Sequence, residues 1–394
     1  MNKHICVIGM QQGDEGKGKI VDVLSENVQA VARFQGGGNA GHTIYVEGKK
    51  YVMHQIPTGI LHDKVIAIMG NGMVVEPIQF MEEFNQLTPD QQSRVYVSDR
   101  AHLTTKRLLD LDTERETAKG ATIIGTCRRG IGPTYESKYA RTGIRMGDLH
   151  RGLENFAPED QEILKKFYDA VGQQICDTTY FLHSLDADGG TILFEGAQGV
   201  LLDIDFGAYP YCTSSHCTAM GVGIGTGFSP RKIGRVIGVA KAYPTKVGTG
   251  PFPSMANPED DEMLRQKGNE FGATTGRPRK CGWLDIPAMR YAIKVGDIDE
   301  IALTKVDILT GIEKIPVCVA YKVPGMEACD GTDFYPTDTK ILEQVEPVWD
   351  YWKGWTSTDN LANLEIFIRR LETALDRPIS MIGCGPNRDD IIYR

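Results

Sequence analysis

Two glycine loops within residues 9–43 carry charged side chains at spacings suited to phosphate and proton chemistry. Gly13-Asp14-Glu15-Gly16-Lys17-Gly18-Lys19 lies between a short apolar run and the start of a helical pattern. Glycines there let backbone N–H groups approach an anion, the helix start adds its dipole, and Lys17 supplies a mobile charge. The spacing from Gly9 is too long for a Walker A loop, and Gly18 stands where a hydroxyl residue would hold magnesium. The second loop, Gln35-Gly36-Gly37-Gly38-Asn39-Ala40-Gly41-His42-Thr43, follows the run Ala30-Val31-Ala32-Arg33-Phe34. Consecutive glycines leave a chain with little to pack, so a ligand is expected against it. His42 closes that loop, where an imidazole can exchange a proton near neutral pH. Each feature has a plainer reading: glycines punctuating a turn, Asp14 capping a helix, His42 filling a corner. Together on two loops they favour catalysis.

Such loops need rigid elements behind them. Ile5-Cys6-Val7-Ile8 and the runs 65–69, 191–194, 236–240 and 300–303 are short, apolar and bounded by turn residues, as buried strands are. Segments 77–87, 161–185, 286–295 and 360–375 have apolar residues at helical spacing. The alternation predicts an α/β fold, a large and mostly parallel central sheet with helices on both faces and ligand loops at the strand ends. There is no internal repeat or low-complexity linker, so residues 1–394 are expected to form one domain with peripheral subdomains. A net charge of −9 argues against a nucleic-acid partner, which needs a basic surface. Nine scattered cysteines without a Cys-x-x-Cys pair, no signal-peptide pattern and no membrane-span candidate lead to the expectation of a cytoplasmic protein.

Further motifs follow in order: Arg129-Gly130-Ile131-Gly132-Pro133, Phe194-Glu195-Gly196-Ala197-Gln198-Gly199, Tyr209-Pro210-Tyr211, Asn269-Glu270-Phe271-Gly272-Ala273-Thr274-Thr275-Gly276-Arg277 and Thr304-Lys305-Val306-Asp307. With the two glycine loops, this series resembles the adenylosuccinate synthetase family over nearly the whole chain. The resemblance implies ligation of IMP to L-aspartate, driven by GTP with Mg2+. Oxygen at purine position 6 is a poor leaving group and must be phosphorylated before an amine displaces it.

By resemblance, Asp14 is the base that deprotonates the purine ring nitrogen, and with the carbonyl of Gly41 it offers hard oxygens to magnesium. His42 stabilises the transferring phosphoryl group, Lys17 neutralises the triphosphate, and Gln198 completes the catalytic set. Gly13, Glu15, Gly16 and Gly18 line the triphosphate. Lys305 and Asp307 resemble the guanine-reading sequence of GTP-binding proteins, since a carboxylate can accept two hydrogen bonds from the guanine edge. Gly383 and Gly385 lie near that base. Asn39, Thr126, Cys127, Gln198, Thr213 and Val247 are expected around the monophosphate, with Arg141 reaching across a homodimer interface. Thr275, Arg277 and Arg279 form a basic loop for L-aspartate, because guanidinium groups grip carboxylates in two-pronged fashion.

The chain departs from the family pattern at several points. Cys127-Arg128 replaces Thr-Gly, His216-Cys217 replaces Asn-Thr, Gly383-Cys384 replaces Ser-Thr, and segment 148–194 is short. Short, divergent members occur in phages, where a related enzyme acts on dGMP, with ATP as a possible donor. Those relatives tend to carry serine at the position of Asp14, which favours IMP here. A nucleotide switch without turnover is the reading from a different class, and it needs neither a base nor an aspartate loop.

Overall fold

The computed structural model describes residues 3–46, 48–120, 123–272, 276–326, 334–356 and 361–394. Its centre is a ten-stranded sheet. In chain order the strands are β1 (His4–Gly9), β2 (Ala30–Arg33), β3 (Ile66–Met69), β4 (Val95–Ser98), β5 (Ile175–Cys176), β6 (Ile192–Glu195), β7 (Ile233–Lys241), β8 (Glu300–Thr304), β9 (Ile379–Gly383) and β10 (Ile391–Tyr393). In space they run β10-β9-β8-β7-β1-β6-β2-β3-β4-β5. Every pairing is parallel except β9 with β10.

Alternation along β1 explains why the sheet is covered twice. Cys6 and Ile8 enter the cluster that holds Phe34, Phe194 and Phe228. Val7 points the other way, into a cluster with Ile20, Val21, Val31, Leu193 and Ile237. Ile20 and Val21 belong to helix α1 (Lys17–Leu24), so the apolar stripe of that helix seals one face of β1 and its neighbours.

Parallel strands deliver their carboxyl ends to one edge, and α/β proteins bind ligands in the crevice there. β1 pairs with β6 on one side (Val7 opposite Glu195) and with β7 on the other (Gly9 opposite Val239). The loops after β1, β2, β6, β7, β8 and β9 therefore open on the same edge, and they hold most of the expected site residues.

The expected strand runs are all present with shifted ends: Val65 and Thr191 fall just outside β3 and β6, and β7 starts three residues earlier than expected. One helical expectation needs correction. Segment 161–185 is two helices, Pro158–Val171 and Thr178–Ala187. The chain between them makes a short turn from Gly172 and then adds β5 to the sheet, where Ile175 pairs with Val97. Burying Ile175 in a strand outweighs continuing the helix. Residues 284–285, 314–322 and 346–353 form a separate three-stranded sheet beside the main one.

Candidate active site

The loop after β1 is shaped from within. Gly13 (φ 83°), Asp14 (φ 61°) and Gly16 (φ 89°) all adopt left-handed backbone. Glu15 is fully buried: its Oε1 accepts from the backbone N–H of Gln11 (3.1 Å) and Gly13 (2.9 Å), and its Oε2 lies 2.5 Å from Lys17 Nζ. The Glu15 carboxylate thus organises the loop and holds Lys17, leaving its backbone to face a ligand. Gly16 precedes α1 with no side-chain cap, so the helix starts on open N–H groups. Thr304, at the end of β8, donates its hydroxyl to the Glu15 carbonyl (2.6 Å).

Helix α1 is tied to a segment far along the chain. Lys19 Nζ donates to the carbonyls of Gly385 (2.9 Å) and Asp390 (2.7 Å). Arg388 grips the buried Asp22 carboxylate in two-pronged fashion, at 2.7 and 2.9 Å. Gly383 ends β9 against Thr304, which puts 383–385 beside the loop after β8.

The second glycine loop runs from β2 into a hairpin (His42–Val46 with Lys49–Met53). A Cβ on Gly18 would lie 2.8 Å from the Cβ of His42, so glycine there allows α1 and the hairpin to touch. Gly41 sits half-buried immediately before. A Cβ on Gly37 would meet the Val74 carbonyl at 2.3 Å, which fixes the far side of this loop. Asn39 receives the Gly37 N–H (3.1 Å) and donates to Thr213 Oγ1 (3.4 Å).

His42 is buried, with Nδ1 2.5 Å from Glu195 Oε1 at the end of β6. The other oxygen, Glu195 Oε2, accepts from the backbone N–H of Thr58 (2.9 Å) and from its hydroxyl (3.2 Å). Burial pulls the imidazole below its ordinary pKa, and Glu195 opposes that pull. A hydrogen on Nδ1 satisfies the carboxylate and frees Nε2 for a substrate.

Gln198 follows β6 in left-handed backbone (φ 55°), and both polar atoms of its amide are buried without a partner. A buried amide left unpaired costs about 1–3 kcal/mol per group, so the site is built for a ligand to satisfy it. Thr126 is held by Glu116, whose Oε1 accepts its N–H at 3.1 Å. Cys127 packs against Val74, Ile131 and Tyr135, and burial pushes its thiol up to about 11. Loop 124–126 meets loop 247–249 through the bond from Thr249 N–H to the Ile124 carbonyl (3.3 Å), with Val247 exposed on the rim. Arg141 ends the helix Ile131–Ala140 in left-handed backbone and is exposed.

Arg279 links the remaining parts. Its Nε lies 2.8 Å from Asp14 Oδ2, an ion pair whose angle leaves Nε without an aligned acceptor, and its Nη1 donates to Glu270 Oε2 at 2.7 Å. Arg277 is exposed, and Thr275 lies outside the described residues. Lys305 (φ 58°) bonds Glu270 Oε1 at 2.7 Å. Asp307 keeps one buried oxygen unpartnered, and burial lifts its carboxyl above the ordinary value.

Sequence reasoning missed Arg33, buried beside Gly36 with two guanidinium nitrogens unpartnered, and the contacts of Glu195, Lys241 and Glu270. Three of them share a signal: Arg33, Glu195 and Lys241 are charges that end parallel strands at the edge where the site lies, after runs that are apolar but for Arg235. Beside Thr213, the cluster of Asp203, Asp205 and His216 has metal-like proximity, yet Asp203 spends both oxygens on the N–H groups of Asp205, Phe206 and Cys217. Among the described residues no helix is long and apolar enough to cross a membrane.

Comparison with known proteins gives the same outline. The family profile described as adenylosuccinate synthetase matches residues 6–392. The adenylosuccinate synthetase of Chlorobium luteolum is 42% identical over 98% of this chain and 96% of its own. The structure of fully ligated adenylosuccinate synthetase from Plasmodium falciparum is 39% identical, superimposes with a TM-score of 0.94 and covers 100% of both chains. A succinoaminodeoxyadenylate synthetase from cyanophage S-2L, bound to dGMP and dATP, is 20% identical with a TM-score of 0.69, covering 100% of this chain and 95% of its own, a likeness of fold. On the profile match and the full-length identity, the chain belongs to the adenylosuccinate synthetase family and is a ligase that forms a carbon–nitrogen bond.

Proposed function

We propose that this chain joins IMP and L-aspartate with GTP, giving adenylosuccinate, GDP and phosphate through 6-phosphoryl-IMP. The observation that carries this reading is the 2.8 Å ion pair between Asp14 and Arg279. A two-step ligation needs the base for the first step and the carboxylate anchor for the second at one centre.

In the first step Asp14 takes the proton from the purine ring nitrogen, the neighbouring oxygen attacks the γ-phosphorus, and the bond to the β-phosphate oxygen breaks. Lys17 and the open N–H groups of α1 stabilise the triphosphate, and His42 Nε2 faces the transferring group. In the second step the aspartate amine attacks the purine carbon, a carbon–nitrogen bond forms and phosphate leaves, with His42 donating a proton to it. Arg279 exchanges Asp14 for the incoming carboxylate, assisted by Thr275 and Arg277. Gln198, Asn39, Thr126, Cys127, Thr213 and Val247 hold the monophosphate, with Arg141 supplied across a homodimer interface. Asp307 reads guanine, flanked by Lys305, Gly383 and Gly385, while Gly13, Glu15, Gly16 and Gly18 lend backbone to the phosphates.

Asp14 is 30% exposed, and its carboxylate and the Gly41 carbonyl are hard oxygen donors of the kind that would hold Mg2+. Bound there, the ion would neutralise triphosphate charge. The enzyme is proposed to work in the cytoplasm, in purine nucleotide biosynthesis.

The test is product identification by chromatography after incubation with Mg2+, GTP, L-aspartate and equal IMP and dGMP. Adenylosuccinate is the expected product. The succinylated 2-amino deoxynucleotide would move the chain to the dGMP branch, and no product from either would refute a ligase of this specificity.

A further inference from the structure

Glu270 is fully buried and receives five hydrogen bonds from side chains of four residues. Its Oε1 accepts from Lys305 Nζ (2.7 Å), Tyr243 Oη (2.7 Å) and Lys241 Nζ (3.1 Å). Its Oε2 accepts from Arg279 Nη1 (2.7 Å) and Lys241 Nζ (3.1 Å). The backbone is fixed as well, since Glu270 N–H donates to the Arg265 carbonyl (2.9 Å) and its carbonyl accepts from Arg279 N–H (3.0 Å).

These partners belong to different jobs. Lys305 stands two residues from Asp307 in the turn after β8, whereas Arg279 belongs to the basic loop and touches Asp14. Lys241 is fully buried and braced by Thr245 Oγ1 at 2.5 Å, so it neutralises the carboxylate from beneath without reaching solvent. Lys241, Lys305 and Arg279 face Glu270, Arg279 also faces Asp14, and Lys305 also acts on Asp307, so cations and carboxylates are matched across the two subsites. An incoming carboxylate beside Arg279 would compete with Asp14 for that guanidinium while Glu270 keeps its other arm in place. Were Glu270 only a core brace, Lys241 and Tyr243 would satisfy it, and its bonds to Lys305 and Arg279 would be surplus.

We propose that Glu270 is a shared positioning residue, one carboxylate that sets Lys305 of the base-reading turn and Arg279 of the acid-binding loop together, so that donor and amino-acid subsites are coupled through it. The proposal deepens the ligase reading and rests on its assignment of the two subsites.

The test uses the full chain, with initial rates measured while each of GTP, IMP and L-aspartate is varied. Loss of a charge-assisted hydrogen bond at each arm predicts that Glu270→Gln raises KM for GTP and for L-aspartate about tenfold each, with KM for IMP within about twofold. Glu270→Asp keeps the charge and brings both values back to within about threefold of the parent. A rise confined to one substrate, or a lower kcat with both KM values unmoved, overturns the shared role. Should Glu270→Gln fail to fold, Lys305→Gln decides, because that side chain is one-third exposed and sits in the other subsite. Its L-aspartate KM should rise about threefold as the carboxylate, with one cation fewer, draws Arg279 more tightly to itself and away from the incoming substrate, and an unchanged value overturns the proposal. If the parent chain makes no adenylosuccinate, the ligase reading fails by itself. Calorimetric titration with GTP alone then still tests Glu270, with affinity about tenfold weaker in Glu270→Gln expected and equal affinity overturning it.

Discussion

Replacing Glu195 by glutamine keeps the shape of the side chain while removing its charge beneath His42. The carboxylate is buried, lies 2.5 Å from His42 Nδ1, and is held on its other oxygen by the N–H and hydroxyl of Thr58. A glutamine oxygen can keep the two Thr58 bonds, which turns its NH2 group toward His42. The imidazole must then accept at Nδ1, so it can no longer carry a hydrogen on both nitrogens, and the protonated ring that donates from Nε2 is disfavoured. One charge-assisted bond is lost and the imidazole is misprotonated, an effect of about 2–3 kcal/mol on the barrier, or roughly 30- to 160-fold in kcat. Burial already pulls His42 below its ordinary pKa, and Glu195 is the main group opposing it. The variant therefore lowers that pKa further, and the limb on which activity falls with deprotonation of His42 shifts to lower pH. Rates from phosphate release, pH profiles of kcat and titration of the imidazole by NMR read these effects. A kcat within about threefold of the parent together with an unmoved pH profile would refute the pairing's role.

Gln198→Ala removes an amide that is buried and unpaired, so kcat/KM should fall about 10- to 100-fold while thermal stability holds or rises, because no bond within the protein is lost; a lower Tm alongside intact turnover would contradict this. Gly18→Ala places a methyl group 2.8 Å from His42 Cβ, and the overlap should cost about 1–3 kcal/mol against about 1 kcal/mol gained in helix propensity. Denaturant titration should register that net loss and kcat should fall about tenfold, whereas a fully active, stable variant would show that the hairpin yields. Burial lifts the Asp285 carboxyl from 3.8 to about 6. Its folded pKa is raised, so its stability contribution is full below pH 3.8 and is lost as pH rises through about 6. Asp285→Asn can still cap the helix Ile286–Gly296 through the Ala288 N–H, and it should flatten the dependence of Tm on pH across that window; an equally steep dependence would place the titration elsewhere.

The glycine loops were legible because glycine is demanded locally: at Gly18 by the approach of His42 and at Gly37 by the Val74 carbonyl. Strands β1, β2, β3, β6, β7 and β8 were legible because burial on both faces leaves continuous apolar runs bounded by turns. What joins them was not. His42 and Glu195 are 153 positions apart, and nothing in either local sequence names the other. Glu270 takes its partners from positions 241, 243, 279 and 305, so its role exists only after β7 and β8 have paired. Segment 161–185 was read as continuous because helical spacing persists on both sides of Gly172, and only the sheet edge gives Ile175 a reason to extend. Arg141 was assigned by resemblance alone, since its exposed side chain carries no local signature.

The ties from Lys19 to Gly385 and Asp390, and from Asp22 to Arg388, set an order in time as well as a geometry. The loop after β1 is synthesised well before its anchors, since its helix is held by residues 366 or more positions later. Contacts of such long sequence separation form late, after the entropy of closing the intervening chain has been met. A growing chain holding residues up to about 370 would have α1, the helix that follows the first glycine loop, unanchored and β8 lacking its neighbour β9, and edges of that kind are prone to unwanted pairing. The proposed nucleotide loop thereby gains its final support only when nearly all the sheet is made.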